Sequence, residues 1–184
     1  MDTYKLRWTR LQREIFKLLC IKVGTPLNQR TIANLLKVSP TAVSKSLNEL
    51  KKENLIDIKK NQTMNLILIE LNREDEKAIN LKRIENLKMI YESGLVNYLE
   101  EKFPGTTIIL FGSYSKGEDT IKSDIDIAVI GTKEKNINLE KFDKLFERDI
   151  SLHFYRGWKE INKNLRNNML NGVVLVGGVE IWNL

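Results

Sequence analysis

A single cysteine, Cys20, and a single histidine, His153, stand among 184 residues. One thiol cannot close an internal disulfide, and one thiol with one imidazole cannot build a Cys/His zinc cluster or a Cys-x-x-Cys redox pair. The composition points to a cytoplasmic chain in which any metal must sit on oxygen ligands. Long apolar runs are missing too. Leu66–Ile69 and Val173–Val176 fall far short of the ~20 residues that cross a bilayer, and charges interrupt the only apolar stretch of the first thirty residues. Neither a membrane span nor a secretory signal is expected. What remains is ordinary soluble composition, 42% hydrophobic and 29% charged, enough for a packed core in one medium domain or two small ones.

The basic excess is uneven. Residues 1–72 hold 13 Lys/Arg against 6 Asp/Glu, a net of +7, whereas residues 73–184 hold 17 against 18, a net of −1. A basic module joined to a near-neutral one is the pattern of a nucleic-acid-binding segment attached to a second function. A merely solvated basic surface is the alternative.

Local pattern favours the first. Leu11, Ile15, Leu18 and Leu19 predict an amphipathic helix over 7–22, ended by Gly24 and Pro26, with Cys20 as a small core residue. Asn28 can cap a second helix carrying Ile32, Ala33, Leu35 and Leu36. Val38-Ser39-Pro40 reads as a tight turn, with Ser39 as N-cap and Pro40 at the first helical position, where its missing N–H costs nothing. In the third helix Val43, Leu47 and Leu50 point one way, and Thr41, Ser44, Lys45, Asn48 and Lys52 the other. Leu55–Lys60 and Met64–Leu71 are β-type runs joined by Asn61-Gln62-Thr63, a hairpin with Lys59 and Lys60 near its tip. Three helices followed by a hairpin is the winged helix-turn-helix order, and residues 35–55 (LLKVSPTAVSKSLNELKKENL) resemble the recognition-helix region of bacterial and archaeal winged-helix regulators. That resemblance implies duplex DNA as a partner, with the polar face of the third helix, Thr41, Ser44, Lys45 and Asn48, at the major groove and Lys59 and Lys60 on phosphates. A winged helix used for protein docking or as plain structure is the alternative.

Residues 73–103 read as a helical connector, with apolar positions at Leu81, Ile84, Leu87, Tyr91, Leu95 and Tyr98, a break at Ser93-Gly94 and an end at Pro104-Gly105. Such a stripe packs on a neighbouring domain or on a second copy of the chain, so a homodimer is expected.

Beyond it, a β-rich run, Thr106–Phe111, ends in Gly112-Ser113, and ten residues later Asp124-Ile125-Asp126 opens a second run, Ile125–Ile130. Residues two apart on a strand share a face, so Asp124 and Asp126 project together while Ile125, Ile127 and Val129 turn to the core. Adjacent carboxylates repel unless a cation lies between them, and Mg²⁺ takes one or two carboxylates plus substrate phosphates. Gly112 lets the backbone approach a ligand, a helix starting at Ser113 aims amides at an anion, and Lys116 lies one turn on. A common turn and a solvated strand end would explain each part alone, but not their order.

Residues 110–129 (LFGSYSKGEDTIKSDIDIAV) resemble the nucleotidyltransferase fold typified by DNA polymerase beta, and specifically the minimal nucleotidyltransferases of bacteria and archaea. The resemblance covers about residues 90–184. It implies transfer of a nucleoside monophosphate from an NTP, with ATP expected, to a hydroxyl on two Mg²⁺ ions. Gly112 and Ser113, with Lys116, would bind phosphates, and Asp124 and Asp126 would hold the metals. The third carboxylate of the family lies on the strand after the next helix; that helix is Leu139–Phe146, the strand Ile150–Tyr155, and the position reads as Ser151. Asp149, of the same parity as Ser151 and His153, is the carboxylate that can reach the site from the strand's start. His153 can accept a proton, contact the nucleotide or be structural. Trp158–Asn171 reads as a helix, and Val173–Val176 with Val179–Trp182 as a terminal hairpin around Gly177-Gly178.

The expected architecture is α+β: a winged helix-turn-helix over 1–72, a helical connector over 73–103, and a nucleotidyltransferase with a small mixed sheet over 104–184. The resemblance implies an enzyme, with a protein acceptor as in minimal nucleotidyltransferase antitoxins that modify a toxin partner. The competing function is a DNA-binding regulator whose second domain binds nucleotide or a partner protein without turnover.

Overall fold

The computed structural model describes residues 8–61 and 66–179. The chain divides into two compact units, residues 1–79 and 80–184.

In the first unit, α1 (Arg10–Ile21) starts from a capping box in which Thr9 and Gln12 satisfy each other's backbone amides, and it buries Ile15, Phe16, Leu19 and Cys20. Strand β1 (Leu27–Asn28) leads into α2 (Gln29–Leu36), whose first turn is closed by Asn28 Oδ1 accepting from Thr31 N at 2.9 Å. Lys37, in the left-handed region at φ 54°, turns the chain toward α3 (Pro40–Lys52). Ser39 Oγ accepts from Ala42 N at 3.2 Å, and Pro40 occupies the first turn. Val43, Leu47 and Leu50 face the core, as their spacing predicts. Strands β2 (Ile56–Asn61) and β3 (Leu66–Leu71) pair antiparallel from Ile56↔Leu71 to Asn61↔Leu66, and β1 pairs with the other edge of β3. The wing turn at Gln62-Thr63 and the strand start at Met64 lie outside the described residues.

The second unit contains most of α4 (Glu76–Glu92), then α5 (Leu95–Lys102), the two separated at Gly94, which takes φ 76°. Strand β4 (Thr107–Phe111) runs into the one-turn helix α6 (Gly112–Lys116); β5 (Ile125–Ile130), α7 (Glu140–Phe146) and β6 (Ile150–Tyr155) follow. The expected helix over 158–171 is broken. A 3₁₀ turn at Trp158–Glu160 ends at extended Ile161, and Asn162 caps a separate helix, α8 (Lys163–Leu170), through Leu165 N at 2.9 Å. Strand β7 (Val173–Val176) completes a sheet ordered β6-β5-β4-β7, with β5 and β6 parallel and the other pairs antiparallel. The second arm of the expected terminal hairpin falls at 180–182, outside the described residues.

One face of this sheet is covered by the 3₁₀ turn and α8: Ile109, Phe111, Ala128 and Ile130 pack with Trp158, Ile161 and Met169. Asp126 lies on that same face, opposite Phe111 and one step beyond Ala128, where the covering layer stops. The connector stripe is where the fold departs from the pattern. Ile84 and Tyr91 are 60% and 50% exposed, while Lys82 and Asn86 of the same helix are buried with Met89 and Ile90.

Candidate functional site

Two aspartates and one glycine form the centre. Asp124 stands just before β5 and Asp126 within it; both carboxylates meet side chains of the neighbouring strand β6, while Ile125 and Ile127 are buried. Gly112 takes φ 73°, and a Cβ built on it would sit 2.5 Å from Asp126 Oδ2. The chain thus needs glycine here twice over, for the left-handed backbone and for the close approach of the carboxylate. Ser113 is half-buried, and Lys116 is exposed at the end of α6.

Strand β6 reaches across to both carboxylates. Its parallel register sets Ser151 beside Asp126 and His153 beside Ala128, and the slant of the pairing lets each side chain reach the aspartate one step back. Ser151 Oγ donates to Asp124 Oδ2 at 3.2 Å. His153 Nε2 lies 3.1 Å from Asp126 Oδ1, its ring edge-on to Phe111 at 5.3 Å between centroids. Asp124 Oδ1 and Asp126 Oδ2 carry no hydrogen bond among the described residues. Hard oxygen donors in this arrangement fit an oxophilic divalent cation. Among the described residues no three of His, Cys, Asp and Glu converge as a metal-binding group.

Asp149 lies to the Asp124 side. Its carbonyl accepts from Ile125 N at 2.9 Å, and its exposed side chain lines, with Asp124, Asp143 and Lys122, an open polar cavity of about 420 Å³ that Asp126 does not line.

A buried charge cluster supports the loop between α6 and β5. Asp119 and Lys82 are fully buried and ion-paired. Arg148 Nη2 adds a second cation 2.9 Å from Asp119 Oδ2, Asn86 Nδ2 donates to Asp119 Oδ1 at 2.7 Å and to Tyr114 O at 2.9 Å, and Arg148 Nε donates to Thr120 O at 3.2 Å. Both cations lie near the Tyr114 ring, at 5.9 and 5.7 Å from its centroid. The spacing of apolar residues gave no sign of these side chains, because polar residues on a helix read as solvated until a distant partner is known.

In the first unit Thr41, Lys45 and Asn48 are exposed on α3 and Ser44 is half-buried. On the wing Lys59 and Lys60 are exposed. Lys59 Nζ is paired with Glu70 at 2.8 Å across the hairpin and lies 4.0 Å from Asp57, and the bond to Glu70 with that residue's charge raises the Lys59 pKa. Ile67, opposite Lys60, is 52% exposed.

Comparison with known proteins agrees with this division. The nucleotidyltransferase domain family matches residues 92–177, and the Crp-like helix-turn-helix domain family matches residues 9–73. A protein of Methanocaldococcus jannaschii, named provisionally as a protein adenylyltransferase, is 33% identical over an alignment covering 36% of this chain and 80% of the relative. Among solved structures, a mutant of ZitR of Lactococcus lactis is 25% identical with a TM-score of 0.42, covering 56% of this chain and 67% of that one. The adhesin competence repressor AdcR of Streptococcus pyogenes is 22% identical with a TM-score of 0.43, covering 56% and 72%. The chain belongs to the nucleotidyltransferase family, and a Crp-like helix-turn-helix domain precedes its nucleotidyltransferase domain.

Proposed function

We propose that the protein is a Mg²⁺-dependent nucleotidyltransferase that moves AMP from ATP to a hydroxyl of a protein, and that its winged helix holds it on duplex DNA. The observation that carries this reading is the pair Asp124 and Asp126, each meeting a side chain of β6, with Gly112 against the second of them. Asp124 and Asp126 take the cation through oxygen, Gly112 and Ser113 present backbone to the β- and γ-phosphates, and Lys116 adds a charge at the edge of the triphosphate. When bound, the cation neutralises phosphate charge and stabilises the departing pyrophosphate. In the transfer, the acceptor oxygen bonds to the α-phosphorus as the bond to the pyrophosphate oxygen breaks, and the hydroxyl proton leaves to a base. Asp149, on the Asp124 side, is the carboxylate available for that proton. A protein acceptor is favoured by the relative's name, and a partner such as a toxin is the form it takes in this reading. The exposed Ile84 of α4 offers a surface through which two copies could pair on a two-fold DNA site.

The test is label transfer in extract of the source cell. Label from α-³²P-ATP but not γ-³²P-ATP should appear on a protein, and Asp124→Asn with Asp126→Asn should abolish it. Label from the γ position would make the protein a kinase instead. Label on nothing would favour the second reading, a DNA-binding regulator that binds nucleotide without turnover, which Ser151 beside Asp126 supports.

A further inference from the structure

The two carboxylates offer four oxygens, and strand β6 engages half of them. Ser151 Oγ holds Asp124 Oδ2 at 3.2 Å and His153 Nε2 stands 3.1 Å from Asp126 Oδ1. The oxygens left without a hydrogen bond are one on each residue, Asp124 Oδ1 and Asp126 Oδ2. The neighbour of Asp126 across the parallel pair is a neutral hydroxyl, Ser151, and no third carboxylate joins the two aspartates among the described residues. Asp149, the acid just before β6, lines the cavity on the Asp124 side. Two divalent ions a few ångströms apart repel strongly and need anionic ligands between and around them. Two single oxygens plus nucleotide phosphates satisfy one.

We propose that this site takes one divalent cation with its nucleotide, rather than the pair that the family resemblance implies, because β6 supplies Ser151 and His153 where a second ion would need an anionic ligand. Ser151 and His153 are positioning residues in this arrangement: they fix the two carboxylates through one oxygen each and turn the other oxygen toward the shared ion. The inference rests on the proposed nucleotide site and concerns only how many ions it holds.

Equilibrium dialysis of the full chain with Mn²⁺ and α,β-methylene-ATP, whose α–β bridge cannot be cleaved, should give one bound Mn²⁺ per chain. The electron paramagnetic resonance spectrum should be that of isolated ions. Two Mn²⁺ per chain, or an exchange-coupled spectrum, would overturn the inference while leaving the proposed function intact; no bound Mn²⁺ would overturn both. Ser151→Asp should raise the count to two and produce the coupled spectrum, whereas Ser151→Ala should leave it at one. A count that stays at one in a folded Ser151→Asp chain would overturn the role assigned to Ser151, and the native count decides the matter should that variant fail to fold.

Discussion

Lys82 and Asp119, 37 residues apart in sequence, form an ion pair with no exposed side-chain surface on either partner. Asp119 also faces Arg148, so one carboxylate balances two buried cations. Removing the shared anion is the severe change. Asp119→Ala takes away the carboxylate that Lys82 and Arg148 share and should destabilise the second unit by about 3–5 kcal/mol, whereas Lys82→Met keeps the Arg148–Asp119 pair and should cost clearly less. Hydrogen exchange of peptides spanning β4 and β5 reads this locally. Equal loss in both variants would mean that the cations are not sharing Asp119.

Gly112 is the position where a methyl group should do most harm to the site and little elsewhere. A non-glycine residue at φ 73° costs about 1–2 kcal/mol, and the added Cβ, 2.5 Å from Asp126 Oδ2, must displace that carboxylate. Gly112→Ala should lower Mg²⁺–ATP affinity at least ~10-fold, which corresponds to about 1.4 kcal/mol, with a circular dichroism spectrum like that of the native chain. Titration calorimetry checks it, and unchanged affinity would place the nucleotide away from Gly112.

These two residues mark the limits of what the sequence discloses. Local signals were legible: Asn28 and Ser39-Pro40 cap their helices as their residue types dictate, and the run 125–130 forms a strand with Ile125 and Ile127 buried and Asp126 half-buried between them. Burial of polar side chains was not. Lys82 and Asn86 enter the core while Ile84 stays 60% exposed, because their burial depends on a distant carboxylate, Asp119, that no periodicity connects to them. The break at Ile161 was hidden for a similar reason, since Ile161 leaves the helix to join the cluster with Trp158 and Met169. His153 carried three open readings in the sequence, and only the register of β6 against β5 brings it to Asp126.

Asp143 gives a pH dependence of stated sign. Burial pushes its carboxyl above the usual carboxylate range, the N–H of Ile150 opposes this, and the charges of Asp149 and Glu140 add to the rise. A carboxyl with its folded pKa above the unfolded value of ~3.9 contributes most when protonated, and that contribution is lost as pH rises through the folded pKa. Asn at this position keeps an acceptor for Ile150 N, now 3.0 Å from Asp143 Oδ1, but cannot ionise. The melting temperature of Asp143→Asn minus that of the native chain should therefore rise as pH increases from the unfolded value of ~3.9 through the higher folded one. A difference that falls over this range would mean that the carboxylate is held by a cation instead.

The DNA face makes the last prediction, and the wing lysines should not behave alike. Lys59 is already paired with Glu70 at 2.8 Å, so a phosphate gains from it only what it releases from that bond. Lys60, exposed on the wing, faces Ile67 rather than an acid across the hairpin. Lys60→Ala should weaken binding to all sequences and lower the salt slope by about one unit; Lys59→Ala should do less, and Glu70→Gln should tighten binding by freeing Lys59. Asn48, exposed on α3, should instead set preference: Asn48→Ala should erode discrimination by about 1–3 kcal/mol with little change in the salt slope. Fluorescence anisotropy of the full chain on a specific and a scrambled duplex, at several salt concentrations, separates these effects. Identical losses for Lys59→Ala and Lys60→Ala would show that the Glu70 pair does not survive on DNA, and no binding of either duplex at low salt would make the winged helix a docking module for protein.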